Sequence, residues 1–464
     1  MTDSTIRSTN PARPDEVVVE VPAAGESDVA KAAVAARAAQ RDWWAQPPAA
    51  RSAALSAAAE AVAAASDEIT DLMVREVGKP LGEAGGEAAR AVAILRYYAQ
   101  QVLDPDGETY PAPGSTLLMA RRRPRGVAGL ITPWNFPFAI PLWKAAPALA
   151  FGNAVLLKPA PESTACALRL AELLHQSLPS DLFAVLPGEG EAGQAVVAEA
   201  DVVSFTGSVG AGGAVREAAA SRGIPVQCEM GGQNASIVLP DVDVAATAGV
   251  LAGAAMGYAG QKCTATSRVV VVDDGDGFAD RFRDALVSAV EALHVGDPAE
   301  KGVAAGPVIT EKARDAVVAA AREAEQSGGR VLTGGSAPER DGWFVAPTLV
   351  DGVSPDARVA QEEVFGPFAA VLTVPDTDRA VEVANGVRYG LAAAVFTRDL
   401  GAALAVSDRL EAGLVRVNAA TSGVDFYAPF GGEKESSYGP REQGKAARDF
   451  YTSVHTVTVA GGTA

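Results

Sequence analysis

Cysteine, histidine and basic residues are all scarce in this chain of 464 residues. Its three cysteines, Cys166, Cys228 and Cys263, cannot make a disulfide framework. They point to a reducing compartment, expected to be the cytoplasm. The three histidines, His175, His294 and His455, lie far apart with no Cys or His at ligand spacing, so no metal site is expected. Lysine and arginine total 39 against 57 acids, a net charge of −18. That balance argues against a nucleic-acid partner, which needs a basic face. No apolar run reaches the roughly 18–20 residues that cross a bilayer, so no membrane partner is expected. The first residues lack the basic-then-apolar order of a secretory leader. Walker A and GxSxG patterns are missing, which removes support for P-loop and serine-hydrolase chemistry. Tandem repeats and disordered linkers are missing as well.

What is present is ordinary globular material: 48% hydrophobic and 21% charged residues, in a chain long enough for two or three packed domains. A Val-rich stretch at 17–21 reads as an edge strand. Helical spacing of Ala and Val runs over 28–44, with Asp28 as the expected cap. An Ala-rich segment at 49–78 reads as one long helix or two short ones, closed by Gly78 and Pro80. Another helix is expected over 83–101. From Arg125 the texture changes. Short apolar runs at 127–131, 154–157, 183–186, 202–205 and 236–239 alternate with helix-length segments. That alternation predicts a parallel sheet covered on both faces. Ligands in such sheets sit at the carboxyl ends of strands. A second α/β region follows from Val244, with a helix expected through Tyr258. The tail at 452–459 reads as a strand with no neighbour in sequence, expected to pair with another subunit.

Several residues at strand ends carry chemical promise. Gly188-Glu-Gly-Glu-Ala-Gly193 fits GxGxxG between a strand and a helix, where backbone N–H groups can approach an anion; a plain tight turn fits equally well. Phe205-Thr-Gly-Ser208 ends the next strand, and Ser208 either caps a helix or meets a phosphate. Cys263 follows a helix, next to Gly260 and Lys262; a neighbouring cation lowers a thiol pKa and favours the thiolate. Cys166 and Cys228 lie inside apolar patterns and read as core thiols. Glu229 ends a strand just before a glycine pair. Asn135 follows a strand and offers an amide to an oxyanion. Lys158 ends a strand and can meet phosphate or ribose oxygens. Together they supply a nucleophile, a base, an oxyanion donor and a cofactor anchor.

The motifs Ile131-Thr-Pro-Trp-Asn-Phe-Pro137, Leu157-Lys-Pro159, Phe205-Thr-Gly-Ser208, Glu229-Met-Gly-Gly232, Gly260-Gln-Lys-Cys263, Glu362-Glu-Val-Phe-Gly-Pro367 and Pro429-Phe-Gly-Gly432 occur in this order. With these motifs the chain resembles the aldehyde dehydrogenase superfamily over nearly its whole length. The stretches Gly260–Arg268 and Ser436–Gly444 look like its α-ketoglutarate-semialdehyde branch. The resemblance implies an α/β fold: a Rossmann-like cofactor domain (1–105 and 125–231), an α/β catalytic domain (232–436) and a small β oligomerisation arm with the tail (106–124 and 437–464). It implies a homodimer or homotetramer. It also implies oxidation of an aldehyde to a carboxylate through a Cys263 thiohemiacetal and thioester, with hydride passing to NAD or NADP.

In that scheme Cys263 is the nucleophile and Glu229 the base, with Asn135 and the Cys263 N–H as the oxyanion hole. Glu442 matches an acid linked to proton relay; a plain salt-bridge role fits it as well. The cofactor site is expected from Thr132, Pro133, Trp134, Lys158, Pro161, Glu162, Phe205, Thr206, Gly207, Ser208, Gly231, Glu363 and Phe365, with Gly188 and Gly193 as minor contributors. Pro161 departs from the Glu usual in NAD-preferring relatives, which opens NADP use unless Glu162 takes that role. Phe136, Trp143, Phe426 and Tyr427 are the expected substrate residues. Trp143 stands where succinate-semialdehyde enzymes place a carboxylate-binding Arg, so an apolar or aromatic aldehyde is the alternative to a semialdehyde. A cofactor-free Cys/Glu hydrolase and a catalytically silent relative are the readings from other classes.

Overall fold

The structure is a computed structural model that describes residues 4–105, 107–273, 275–423 and 425–460. Residues 1–3 and 461–464, the extremes of the expected first and last segments, lie outside them. Two large sheets organise the chain. The first has six strands in the order Ser437–Tyr438, Val226–Glu229, Val202–Thr206, Val127–Ile131, Ala154–Lys158, Phe183–Val185. All pair in parallel except the edge strand Ser437–Tyr438. Val127–Ile131 and Ala154–Lys158 are buried at every position, because helices cover both faces and no alternation is needed. The α/β class expected from the alternating texture is what folds.

The second sheet has seven strands in the order Arg330–Thr333, Thr348–Asp351, Phe368–Val374, Thr266–Val272, Asn234–Val238, Ala392–Phe396, Leu414–Val417. Only Arg330–Thr333 runs antiparallel there. A core of Val29, Leu55, Met73, Leu95, Leu130 and Leu156 joins the N-terminal helices to the first sheet. A separate core of Ile237, Val270, Val317, Val350, Leu372 and Val395 fills one face of the second.

The expected Val-rich edge strand and the split Ala-rich helix both form, whereas the Asp28 cap does not and the tail strand gains a partner within the chain. The Val-rich stretch lies in Arg13–Pro22, which pairs with Thr5–Asn10 as a hairpin. The Ala-rich segment is two helices, Pro48–Ala64 and Ser66–Val77; the second ends at Gly78 with φ +64°. Asp28 is not the cap of its helix, Glu26–Ala45. Gly25 holds that position, and Asp28 sits in the first turn with its carboxylate accepting from the Gly25 N–H (3.1 Å). The tail strand Thr452–Val459 finds its partner within the chain: it pairs antiparallel with Leu117–Pro124 through all eight residues, a neighbour no local pattern could reveal. Gly107–Tyr110 completes that three-stranded sheet.

Candidate active site

The first sheet delivers its polar residues at the carboxyl ends of its strands. Val127–Ile131 leads into the loop that carries Thr132 to Asn135 before the helix Ala139–Ala150. Lys158 ends its strand, Thr206 the next and Glu229 the next. Ser208 caps the helix Val209–Ser221, its hydroxyl accepting from Ala211 N.

Cys263 arrives differently. The helix Val244–Met256 ends short of the expected Tyr258. Tyr258, Ala259 and Gly260 then adopt φ of 54°, 50° and 65°, three successive left-handed residues. Such conformations are costly away from glycine and persist only where the surroundings impose them. They turn the chain so that Cys263 enters the site before the strand Thr266–Val272 begins. Asn234 Nδ2 holds the Cys263 carbonyl at 2.8 Å.

These segments enclose a cavity of about 270 Å³ lined by Pro133, Trp134, Asn135, Ile140, Thr206, Gly207, Ser208, Met230, Gly231, Cys263, Glu363 and Phe365. Trp134 and Phe365 meet edge to face at 5.7 Å. Asn135 is buried; its Nδ2 donates to the Gln261 carbonyl (2.9 Å) and has a second N–H to offer. Thr206 Oγ1 is buried without a hydrogen-bond partner. Glu363 accepts from the Gly232 N–H (3.2 Å), and a Cβ at Gly231 would overlap its carboxylate. Burial pushes the Glu363 carboxyl up to about 7, against the opposing pull of the Gly232 N–H. The Lys158 ammonium makes no hydrogen bond to any described residue; burial lowers its pKa, while Glu162 and Glu189 act to raise it. The turn at Gly188 and Gly193 lies alongside, with the Gly193 Cβ position 4.0 Å from Lys158 Cδ. An apolar slot with a carboxylate and an orphaned hydroxyl, and a free ammonium on the next strand of the same sheet, fit a dinucleotide with a flat ring in the slot. Pro161 and Glu162 form a short 3₁₀ turn just after Lys158.

Glu229 is buried but does not line this cavity. Its carboxylate accepts from Gln227 Nε2 (2.9 Å) and from the Ser437 hydroxyl. Burial, and then the charge of Glu442, hold its pKa well above the usual carboxylate range. Gln227 accepts from Ser204 Oγ (2.7 Å), which accepts from Lys144 Nζ (2.7 Å), which also meets Glu442 Oε2 (2.7 Å). A continuous buried chain thus links Glu229 to Glu442, whose Oε1 has no partner. Sequence reading missed Lys144, Ser204, Gln227 and Ser437. A signal for Lys144 existed: a lysine inside the apolar run Ala139–Ala150 must be paired if it is buried.

One inference is overturned. Lys262 does not activate Cys263, because its ammonium is committed to Glu83 Oε1 (2.6 Å). Burial, with the charges of Glu363, Glu229 and Glu442, instead pushes the Cys263 thiol up. Cys166 and Cys228 are buried core thiols.

The substrate candidates scatter. Trp143 packs in the core against Phe430 at 6.0 Å and lines neither this cavity nor the next. Phe205, expected at the cofactor, likewise lies in the core, behind Gly207. Phe426 packs on Tyr97 (5.8 Å), and Tyr427 is exposed. Phe136 lines a second cavity of about 570 Å³ with Glu83, Glu87, Arg90 and the glycines 82, 86, 253, 257 and 302. Among the described residues no cluster could hold a metal ion, and no helix is long and apolar enough to cross a membrane.

Residues 1–457 match the aldehyde dehydrogenase family. The chain is 39% identical to an alpha-ketoglutaric semialdehyde dehydrogenase of Bacillus subtilis (strain 168), over 98% of this chain and 94% of that protein. It is 41% identical to an alpha-ketoglutarate semialdehyde dehydrogenase of Haloferax volcanii, over 98% and 96%. Its fold superimposes on the crystal structure of an NAD-dependent aldehyde dehydrogenase from Sinorhizobium meliloti with a TM-score of 0.94 at 35% identity, covering 98% of this chain and 91% of that one.

Proposed function

The chain belongs to the aldehyde dehydrogenase family and is an oxidoreductase that converts an aldehyde to a carboxylic acid; from that premise we propose that its substrate is a semialdehyde and that Cys263 and Glu229 do the covalent work. The observation that carries this is the convergence of Cys263, Asn135 and Glu363 on one cavity. Cys263 Sγ first passes its proton to solvent water in the cavity, a loss that burial opposes in the resting site. The thiolate attacks the aldehyde carbon. The oxyanion that forms is received by the second N–H of Asn135 and the Cys263 backbone N–H. A nicotinamide dinucleotide, when bound, supplies the hydride acceptor that turns the thiohemiacetal into a thioester. Lys158 and Glu363 would hold its ribose hydroxyls, Thr206 and Ser208 would serve the pyrophosphate, and Trp134 and Phe365 would flank the ring.

Glu229 then takes a proton from the water that cleaves the thioester. To reach that water it must leave Gln227 and Ser437, since neither places it in the cavity. In the resting position the chain through Gln227, Ser204 and Lys144 couples the charge of Glu229 to that of Glu442, with each donor pointing toward Glu229. NAD and NADP both remain candidates, since Pro161 offers a 2′-hydroxyl no carboxylate while two acids lie near Lys158. The carboxylates of Glu162 and Glu189 act on Lys158, so a 2′-phosphate there would face both.

We assign residues 1–105 and 125–231 to cofactor binding, 232–436 to catalysis, and 106–124 with 437–464 to the arm. The strand Thr452–Val459 is the edge of its three-stranded sheet, with Val454 and Val459 exposed. An open edge of this length invites pairing, so a homodimer or homotetramer is the expected assembly, checked by light scattering. A reducing compartment such as the cytoplasm suits a chain whose nucleophile must stay a thiol. The deciding assay is 2,5-dioxopentanoate with NAD, without coenzyme A. Equal amounts of reduced nicotinamide and dicarboxylate are expected. No nicotinamide reduction with any aldehyde, acid-tailed or neutral, would overturn the reading.

A further inference from the structure

The segment Asn135–Phe136 stands between two cavities. Asn135 faces the one that holds Cys263, and Phe136 faces the larger one beside the helix Leu81–Gln101. The larger cavity is walled by glycine: a Cβ built at Gly82, Gly86, Gly253 or Gly302 meets nothing within 4 Å. It leaves room for the body of a substrate, one residue along the chain from the Asn135 that lines the Cys263 cavity.

Its charges can be accounted for one by one. Glu83 is paired with Lys262 (2.6 Å), and that pair lies against Gly257. Glu87 is paired with buried Lys79 and also accepts from the Phe138 and Ala139 N–H groups, each at 2.9 Å. Lys79 lies over the Phe136 ring at 3.8 Å. Each of these ions has its counter-ion. Arg90 does not: it lines the cavity, is half-buried, and makes no hydrogen bond or ion pair with any described residue. Its charge is felt at Glu83, which Lys262 already neutralises. The cavity therefore carries one cation in excess.

We propose that Arg90 receives the carboxylate at the far end of the substrate, so that this cavity selects acid-tailed aldehydes over neutral and amino-tailed ones. Arginine suits the task because its planar fork matches a carboxylate with two parallel N–H donors. An amino-tailed aldehyde finds no free carboxylate here, since Glu83 and Glu87 are both committed. The proposal rests on the semialdehyde reading above and names the group that would enforce it.

The test compares 5-oxopentanoate, pentanal and 5-aminopentanal with the wild type, R90A, R90K and R90E. The wild type should favour 5-oxopentanoate over pentanal. In R90A the ratio of the two kcat/KM values should fall about tenfold or more, mostly through KM, as expected for loss of a charged hydrogen bond. R90K should recover part of the preference, and R90E should shift it toward 5-aminopentanal. A ratio unchanged in R90A, or R90A losing both substrates in equal proportion, overturns the role of Arg90 while leaving aldehyde oxidation intact. A wild type that oxidises none of the three overturns the semialdehyde reading itself, and with it this proposal.

Discussion

The two large sheets contribute to one site from opposite ends. The six-stranded sheet presents Asn135, Lys158, Thr206 and Glu229 at or just beyond the carboxyl ends of its strands. The seven-stranded sheet presents residues that precede its strands: Cys263 before Thr266–Val272, and Glu363 and Phe365 before Phe368–Val374. The carboxyl-end rule for ligands in α/β sheets therefore finds one half of the site and misses the other. The second half depends on loops. Phe365, like Tyr258 and Ala259, has a left-handed backbone, with φ of 54°. The strand-end residues sit on regular backbone; the proposed nucleophile and its neighbour follow backbone that only a rigid surround maintains.

Substitutions on the two sides should separate these contributions. The largest loss is expected on the loop side. Cys263→Ala should reduce the oxidation rate by roughly 10⁴-fold or more, as nucleophile removal does elsewhere. Retained turnover would mean the loops do not deliver the reacting atom. On the strand-end side, Glu229→Gln should slow steady-state turnover by about 10²–10⁴-fold while sparing the first chemical step. Rapid-mixing kinetics should then show a burst of reduced nicotinamide followed by a stall; disappearance of the burst would place Glu229 earlier in the reaction. Asn135→Ala should lower kcat by about 10²–10³-fold, with KM little changed, if its amide serves the oxyanion.

The smallest effect is a shift in pH dependence. Glu229 is pushed up to about 8, so its base form is the minority at neutral pH and deacylation should rise with pH through that value. Glu442→Gln removes a negative charge that raises Glu229 and frees Lys144, whose charge lowers it. Both changes act in one direction, so the rising limb of the profile should move to lower pH. A limb that stays in place would show that the buried chain does not connect the two carboxyls.

Legibility in the sequence followed the range of the interactions. Buried parallel strands announce themselves as short apolar runs, and the residues that end them can be read off directly: Lys158, Thr206 and Glu229. Cys263 stood out once its motif was joined to the others. Contacts that depend on distant pairing could not be read. The tail strand's partner lies more than three hundred residues away in Leu117–Pro124. Lys262 looks like an activator of Cys263 in sequence, yet Glu83, from the distant helix Leu81–Gln101, takes its charge. Trp143 has the composition of a pocket residue, but its helix, Ala139–Ala150, is buried all round and turns it into the core. Arg90 shows the same limit in reverse. Nothing in its sequence surroundings marks it, and only the counting of paired charges around it does.

The unequal burial of the three cysteines has a practical side. Cys166 and Cys228 are sealed in the core, while Cys263 lines a cavity and keeps part of its surface open. A small alkylating reagent applied to the folded protein should add one label per chain, detectable as a single mass increment. The uptake of that label counts competent molecules in a preparation, so rates can be stated per working subunit rather than per milligram. Saturating the cavity with ligand should shield the same atom, which turns the labelling rate into a measure of occupancy that needs no turnover at all.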